Sequence, residues 1–397
     1  VTEFCIIINE TQFVPVMQKI ATFCLSVVFL LSILSQAQAQ GCVAIRQMGG
    51  CSGVSGSALL GKGQLQVGAN YRYFRSFRHF RGAEEQKERL ELHTEVINKS
   101  HAIDFNVNYG LSNRLSVNAA IPLAFNDRSS LYEHDKVNRY HTQSHGLADV
   151  RVGASYWLLN PDKFRKGNIA FGMGIKIPTG NYKVTDEFHS GENGALQTKP
   201  VDQSIQLGDG GWGVSAELQG FVQLFHSIGL YGNAFYLSNP RETNGVATGR
   251  LLPAPDKSPI FMSVPDQFLT RLGVSWITPF QHVQFSLGGR FEGVTVNDLI
   301  GGSNGFRRPG YVVAVEPGLA WFSHNVGVTF TMPYALVRNR TQSYTDKLSE
   351  QIDVTDKTYH GDAAFADYSI NAGIVWRFNG KHAMAVPVVP TWNDVKK

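Results

Sequence analysis

From Gly63 onward, apolar and polar positions alternate. In NIAFGMGIKIPTGNY (168–182), Ile169, Phe171, Met173, Ile175 and Ile177 are apolar, while Ala170, Gly172, Gly174 and Lys176 between them are small or charged. A period of two marks a strand, because successive side chains leave a pleated backbone on opposite faces. Ile103, Phe105, Val107 and Tyr109 alternate in the same way with Asp104, Asn106 and Asn108. Val150, Val152, Ala154 and Tyr156 alternate with Asp149, Arg151 and Ser155, and Val283, Phe285, Leu287 and Phe291 with Gln284, Ser286, Arg290 and Glu292. Twelve such segments are expected, over 64–77, 99–110, 114–126, 147–159, 168–178, 210–225, 228–238, 267–278, 281–294, 310–322, 325–338 and 366–378. Each is about as long as a tilted strand must be to cross a bilayer. No helical pattern of comparable strength is legible.

The connections sort by length. Short turns fall at 110–113, 160–167, 226–227, 279–280 and 323–324; long polar connections cover 78–98, 127–146, 179–209, 239–266, 295–309 and 339–365. Five turns on one side and six loops on the other put both chain ends on the side of the turns. The expected fold is therefore all-β: a transmembrane antiparallel barrel of about 12 strands, with periplasmic turns and long extracellular loops. Closing the sheet removes its edges, as lipid demands, because lipid cannot satisfy exposed backbone groups. One face of each strand then suits hydrocarbon and the other a watery lumen.

Ten charged residues fall on expected lumen positions: Arg72, Asp104, Asp149, Arg151, Lys176, Glu217, Arg271, Arg290, Glu292 and Glu316. They predict either an internal salt-bridge network that narrows the bore or a polar pathway. A 12-stranded barrel lies between a filled eight-stranded one and an open porin, so size does not choose. Pro122, Pro178 and Pro333 interrupt good strands near the outer rim, where bulges or early strand ends are expected, because proline cannot donate to the ladder. A rim bulge is the plain reading; a gap through which an apolar solute leaves sideways into lipid is the functional one.

Composition supports this picture. Forty glycines with 25 Phe, 14 Tyr and 6 Trp suit tight turns and aromatic girdles, and 43% hydrophobic residues is too few for a helical membrane protein. A net charge of +4 from nearly balanced signs gives no electrostatic case for nucleic acid. Near the N-terminus, Met17-Gln18-Lys19 leads into the apolar IATFCLSVVFLLSIL and then Ala37-Gln38-Ala39, the order of a cleaved secretory signal. Residues 1–39 are expected to be leader and signal, 40–62 a Gly-rich segment able to help plug the periplasmic mouth, 63–378 the barrel and 379–397 a periplasmic tail. Export favours a disulfide between Cys42 and Cys51, with a lipid on Cys42 as the competing idea.

Signs of chemistry are few. The histidine expected beside an activated serine is missing from GGSNG (301–305), although that stretch resembles the Ser-Asn-Gly of outer-membrane phospholipase. DEFHSGE (186–192) reads as solvated loop, and no cysteine–histidine metal spacing occurs. No enzyme activity, cofactor or metal is expected.

Three stretches carry a family likeness: GLADVRVGASYWLL (146–159), GMGIKIPTGNY (172–182) and VDQSIQLGDGGWG (201–213). Together they resemble the outer-membrane barrel family named for the MetA pathway of phenol degradation, matching its pattern at Asp149, Gly153, Lys176, Pro178, Thr179, Gly180, Asp209 and Trp212. The resemblance implies a barrel, an outer-membrane location and transport of small organic molecules. The final strand, ending Trp376-Arg377-Phe378, resembles the signal read by the barrel-assembly machinery, although 19 residues follow it. The expectation is a porin-like passive channel or facilitator in the outer membrane of a Gram-negative bacterium, in contact with outer-membrane lipid. The alternative is an accessory barrel that binds an envelope protein through its loops or tail.

Overall fold

The computed structural model describes residues 59–378, apart from 162, 165, 226, 279–281, 324 and 356. The signal, the two cysteines, most of the Gly-rich segment and the tail lie outside the described residues. In chain order the strands are β1 (Leu65–Arg81), β2 (Glu84–Glu85), β3 (Ile97–Gly110), β4 (Leu115–Ser130), β5 (Tyr140–Leu147), β6 (Val150–Trp157), β7 (Gly167–Ile177), β8 (Thr185–His189), β9 (Leu196–Pro200), β10 (Gly213–Gln223), β11 (Ile228–Ser238), β12 (Thr243–Leu251), β13 (Pro259–Ser263), β14 (Gln267–Ile277), β15 (Val283–Val294), β16 (Gly310–Phe322), β17 (Val326–Thr331), β18 (Tyr334–Asn339) and β19 (Ala363–Phe378).

Twelve staves close into one antiparallel barrel, ordered β1, β3, β4, β5 with β6, β7, β10, β11, β14, β15, β16, β17 with β18, and β19. The seam is the pairing of β1 with β19, from Leu65↔Phe378 to Phe80↔Ala363. Each stave overlaps one of the twelve segments that the alternation marks. Hairpins β8–β9 and β12–β13 stand in the long loops.

The two faces divide as the pattern requires. On β7, Ile169, Phe171, Met173 and Ile175 are 44–55% exposed, whereas Ala170 and Lys176 are 0% and 2% exposed. Each such apolar side chain left in water would cost about 1.5–3 kcal/mol, so an outer surface built this way is stable only against hydrocarbon. Aromatic rings mark the rims of the belt. Tyr109, Tyr156, Trp276, Trp321 and Trp376 stand exposed towards the turns, and Tyr71, Trp212, Tyr334 and Tyr368 towards the loops. None of the described helices is long and apolar enough to cross a membrane.

The structure departs from expectation in two ways. Strands β1, β3, β4 and β5 continue past the belt into stretches that read as loop, because there both faces are polar. Hydrophobic alternation reports the edge of the bilayer, not the end of the strand. The last long loop also contains a helix, α2 (Tyr344–Ile352), after the short α1 (Glu88–Glu91). Its signal is local: the Ser343 hydroxyl accepts from the Asp346 amide, and the Asp346 carboxylate accepts from the Ser343 amide, which is a capping box.

Candidate functional site

Among the described residues, the wall is interrupted on its loop side between β5 and β6. β4 pairs with β6 as far as Ala120↔Arg151, and with β5 from Leu123↔Leu147 upward. Ala148 and Asp149 step out of the ladder between them. β7 pairs with β6 up to Val150↔Ile177 and leaves the barrel at Pro178. Above that level β7 does not continue and β10 begins only at Gly213, opposite Lys176, so a gap in the ladder lies beside the free edge of β5.

Side chains and turns of the chain itself fill it. Thr179 donates its hydroxyl to the Ala148 carbonyl (2.8 Å) and accepts from the Val150 amide (2.9 Å). One Asp149 carboxylate oxygen accepts from the Gly180 amide (3.0 Å) and the other from the Asp209 amide (3.3 Å). The Lys176 ammonium, 2% exposed, donates to the Asp209 carboxylate and lies 3.7 Å from that of Asp149. Gly180 and Gly208 permit the crossing: a Cβ on Gly208 would lie 2.5 Å from Asp149 Oδ1 and 2.7 Å from the Gly180 carbonyl, and one on Gly180 would lie 2.6 Å from the Leu207 carbonyl. Three stretches far apart in sequence thus meet at one junction, where Asp149, Lys176, Thr179, Gly180 and Asp209 are brought together. Gly153 faces inward on β6, and Trp212 stands outside it, 60% exposed at the start of β10.

Residues 201–210 run inward from this junction and cap the bore. Val201 and Ile205 are fully buried. Ser144 donates its hydroxyl to the Ile205 carbonyl, and Gln203 donates to the Ser263 carbonyl (2.9 Å). Asp202 takes a bidentate bond from Arg308 (2.6 and 2.8 Å) and lies 3.5 Å from Arg128. Burial pushes the Asp202 carboxyl up, but the Arg128 and Arg308 charges outweigh it and hold the group well below the ordinary carboxylate value. Beneath this cap lies a cavity of about 150 Å³, walled by Arg72, Phe74, Ala124, Arg151 and Lys176 of the barrel and by Leu207, Met262 and Pro265 of the loops. Neither Asp202 nor its arginines stand out in the sequence; Arg308 is 106 residues from Asp202, and no local pattern links them.

The ten charged candidates lie on the inner face of the staves or, for Asp149, at the break. Glu316 accepts from Arg271 and Arg290 at 3.2 Å each, and Arg290 also forms a fork with Glu292 at 2.7 and 2.9 Å. Glu217 accepts from Asn233 (2.8 Å), and the Arg151 guanidinium sits 5.6 Å from the centre of the Phe235 ring. Arg72 and Asp104 line adjacent strands. At the turn end, Leu59 packs on Trp157 and Ala170, with Phe221 against them. Such charge pairs stay dry only while every member keeps its partner.

The prolines differ from one another. Pro178 ends its strand, and Pro333 separates β17 from β18. Pro122 does not break its strand, because β4 runs through it. Its missing N–H points at the neighbouring stave where that stave is itself interrupted, and its carbonyl accepts from the Ala148 amide (2.9 Å). At Pro333 the wall stays bridged, since the Met332 amide donates to the Pro317 carbonyl and the Ser369 amide to the Pro333 carbonyl, both at 3.1 Å. Ser303 accepts from the Asp298 amide (2.9 Å) and staples its loop, while His189 stacks on Tyr140 with ring centres 3.9 Å apart.

No protein-family model and no curated protein matches the chain. Among solved structures, it is similar to the COG4313 outer membrane channel from Pseudomonas putida F1 at 13% identity and a TM-score of 0.52, covering 82% of this chain and 100% of that one. It also aligns with the toluene transporter TodX from Pseudomonas putida (9% identity, TM-score 0.38, 86% and 96% covered) and the CymD monoaromatic hydrocarbon channel (10%, 0.37, 81% and 90%). The first likeness establishes the barrel fold; the other two carry no argument at those scores.

Proposed function

We propose that the chain is a passive channel for small apolar molecules in the outer membrane of a Gram-negative bacterium. Solutes would enter past residues 201–210 and leave sideways through the gap beside the free edge of β5. The observation that carries this reading is the gap itself, which is closed by side chains and loop backbone and not by a ladder of strand hydrogen bonds. It adjoins a cavity of about 150 Å³ whose lining mixes Phe74, Ala124, Leu207, Met262 and Pro265 with charged and amide side chains. The paired charges of the lumen support the same direction, since a bore narrowed by ion pairs leaves little room for hydrated solutes. The resemblance to the MetA-pathway barrels supports small organic cargo, and the chain would reach the membrane by a cleaved signal and the barrel-assembly machinery. No chemical step is involved.

The test is solute entry into vesicles whose outer leaflet is lipopolysaccharide, which slows apolar solutes on its own. A monoaromatic hydrocarbon should enter faster with the protein than without it, and a monosaccharide should not. Rapid sugar entry, or hydrocarbon entry no faster than through empty vesicles, would overturn the reading.

A further inference from the structure

The outward face of β1, β3, β4 and β5 changes character within three rows of side chains. The row Tyr71, Ile103, Leu123, Leu147 is apolar or aromatic, and the next row up is Tyr73, His101, Phe125, His145. Above it come Arg75, Lys99, Asp127 and Gln143. Four residues of strand separate the Tyr71 rim from this third row, about 13 Å along the strand or about 10 Å along the membrane normal at the usual barrel tilt. That is the depth of the lipid headgroups.

Arg75 and Lys99 are direct cross-strand partners, and both are exposed. Like charges placed directly opposite each other destabilise a sheet. Among the described residues, neither side chain has an acidic partner or a side-chain hydrogen bond. The guanidinium of Arg75 rests 4.2 Å from the centre of the Phe77 ring, which fixes it without neutralising it. The acid in the row, Asp127, is occupied: His141 lies 2.9 Å from it, and Gln143 donates to it at 3.4 Å. Below, the Tyr71 hydroxyl is 2.7 Å from His101 Nδ1, holding that ring at the rim. Two cations side by side over an aromatic shelf, facing lipid and bonded to no acid although Lys99 stands opposite Asp127, form a receptor for a doubly charged oxyanion.

We infer that Arg75 and Lys99 bind the phosphate of an outer-leaflet lipid, clamping a phosphorylated glycolipid against this side of the barrel. The inference rests on the outer-membrane reading above but not on transport. A bound lipid of this kind would sit beside the gap, since Leu147 of the same outward surface is the last residue of β5 before the break.

The test uses the full chain in detergent. Affinity is measured by native mass spectrometry for diphosphorylated lipid A, for the same lipid after enzymatic dephosphorylation, and for inorganic phosphate. The wild type should prefer the diphosphorylated form. Arg75→Gln with Lys99→Gln should weaken it about 30-fold, at roughly a factor of five for each cation near a charged surface. Arg75→Lys should retain most of the binding, as should Lys163→Gln at an exposed turn on the opposite rim. Heat-modifiable gel mobility checks that each variant is a folded barrel. Equal affinity for the dephosphorylated lipid, undiminished binding by the double variant, or inorganic phosphate binding as tightly as the lipid would each overturn the inference. Hydrocarbon entry is measured separately, so loss of one property leaves the other readable.

Discussion

The barrel wall is interrupted at Ala148–Asp149 and again at Met332–Pro333, and the two interruptions are closed in different ways. At the second, the staves on both sides remain, and backbone amides still reach backbone carbonyls across it. At the first, the Ala148 amide still reaches the Pro122 carbonyl on β4, but on the other side β7 has ended, and the freed backbone groups there are met by a threonine hydroxyl, a carboxylate and an incoming loop. A proline in a stave therefore does not open a barrel. What opens it is loss of the adjoining strand, and what closes it again is side-chain chemistry that one substitution can remove.

The largest expected effect is at the centre of the first interruption. Lys176→Met leaves the carboxylates of Asp149 and Asp209 facing each other without a cation. That should cost about 3 kcal/mol, read as a lower midpoint of heat-modifiable unfolding, and should raise ion conductance as residues 201–210 detach. Gly208→Ala forces a Cβ to within 2.5 Å of Asp149 Oδ1. An overpacking cost of about 1–3 kcal/mol should appear as faster proteolytic nicking within 201–210. Thr179→Val removes one donor and one acceptor, for about 1–2 kcal/mol. Pro333→Ala should shift stability by less than about 1 kcal/mol and leave conductance unchanged. If Pro333→Ala opened the pore and Lys176→Met did not, the contrast between the two interruptions would be reversed.

Acid sharpens the same contrast on the loop side. The Asp362 carboxyl is buried, which raises it, but His79 and Arg89 outweigh this and hold it at about 2. A depressed folded-state value contributes stability that is complete above the unfolded value near 4 and is lost as pH falls from there towards 2. For Asp362 this amounts to roughly 2 kcal/mol. Asp202, depressed in the same sense, lends its share to the cap. Conductance recorded from pH 5 down to pH 3 should therefore rise as the cap loosens, while the barrel, held by its backbone ladder, stays closed.

The staves were legible because hydrocarbon on one side and a narrow lumen on the other leave each position little choice. Ile169 to Ile177 show this without any structural help. The cap was not legible, because Asp202 and Ile205 take partners from residues distant in the chain, and its composition resembles any polar loop. The junction falls between these cases. Asp149, Lys176 and Asp209 were visible as parts of three separate motifs, but nothing local says that they touch. Pro122 misled because the rule against proline in strands concerns the amide, and here that amide would have faced an interruption already present next door.

The seam between β1 and β19 has a consequence for biogenesis. Its two strands are separated by nearly the whole barrel sequence, so theirs is the pairing with the greatest loop-closure penalty and is expected to form last. Until it zips, the growing sheet is an open trough, and residues 201–210 can settle on the inner faces of β4 and β7 from the side. Once it zips, the same stretch must be threaded in through the mouth. The order of these two events decides whether a newly made barrel emerges already corked.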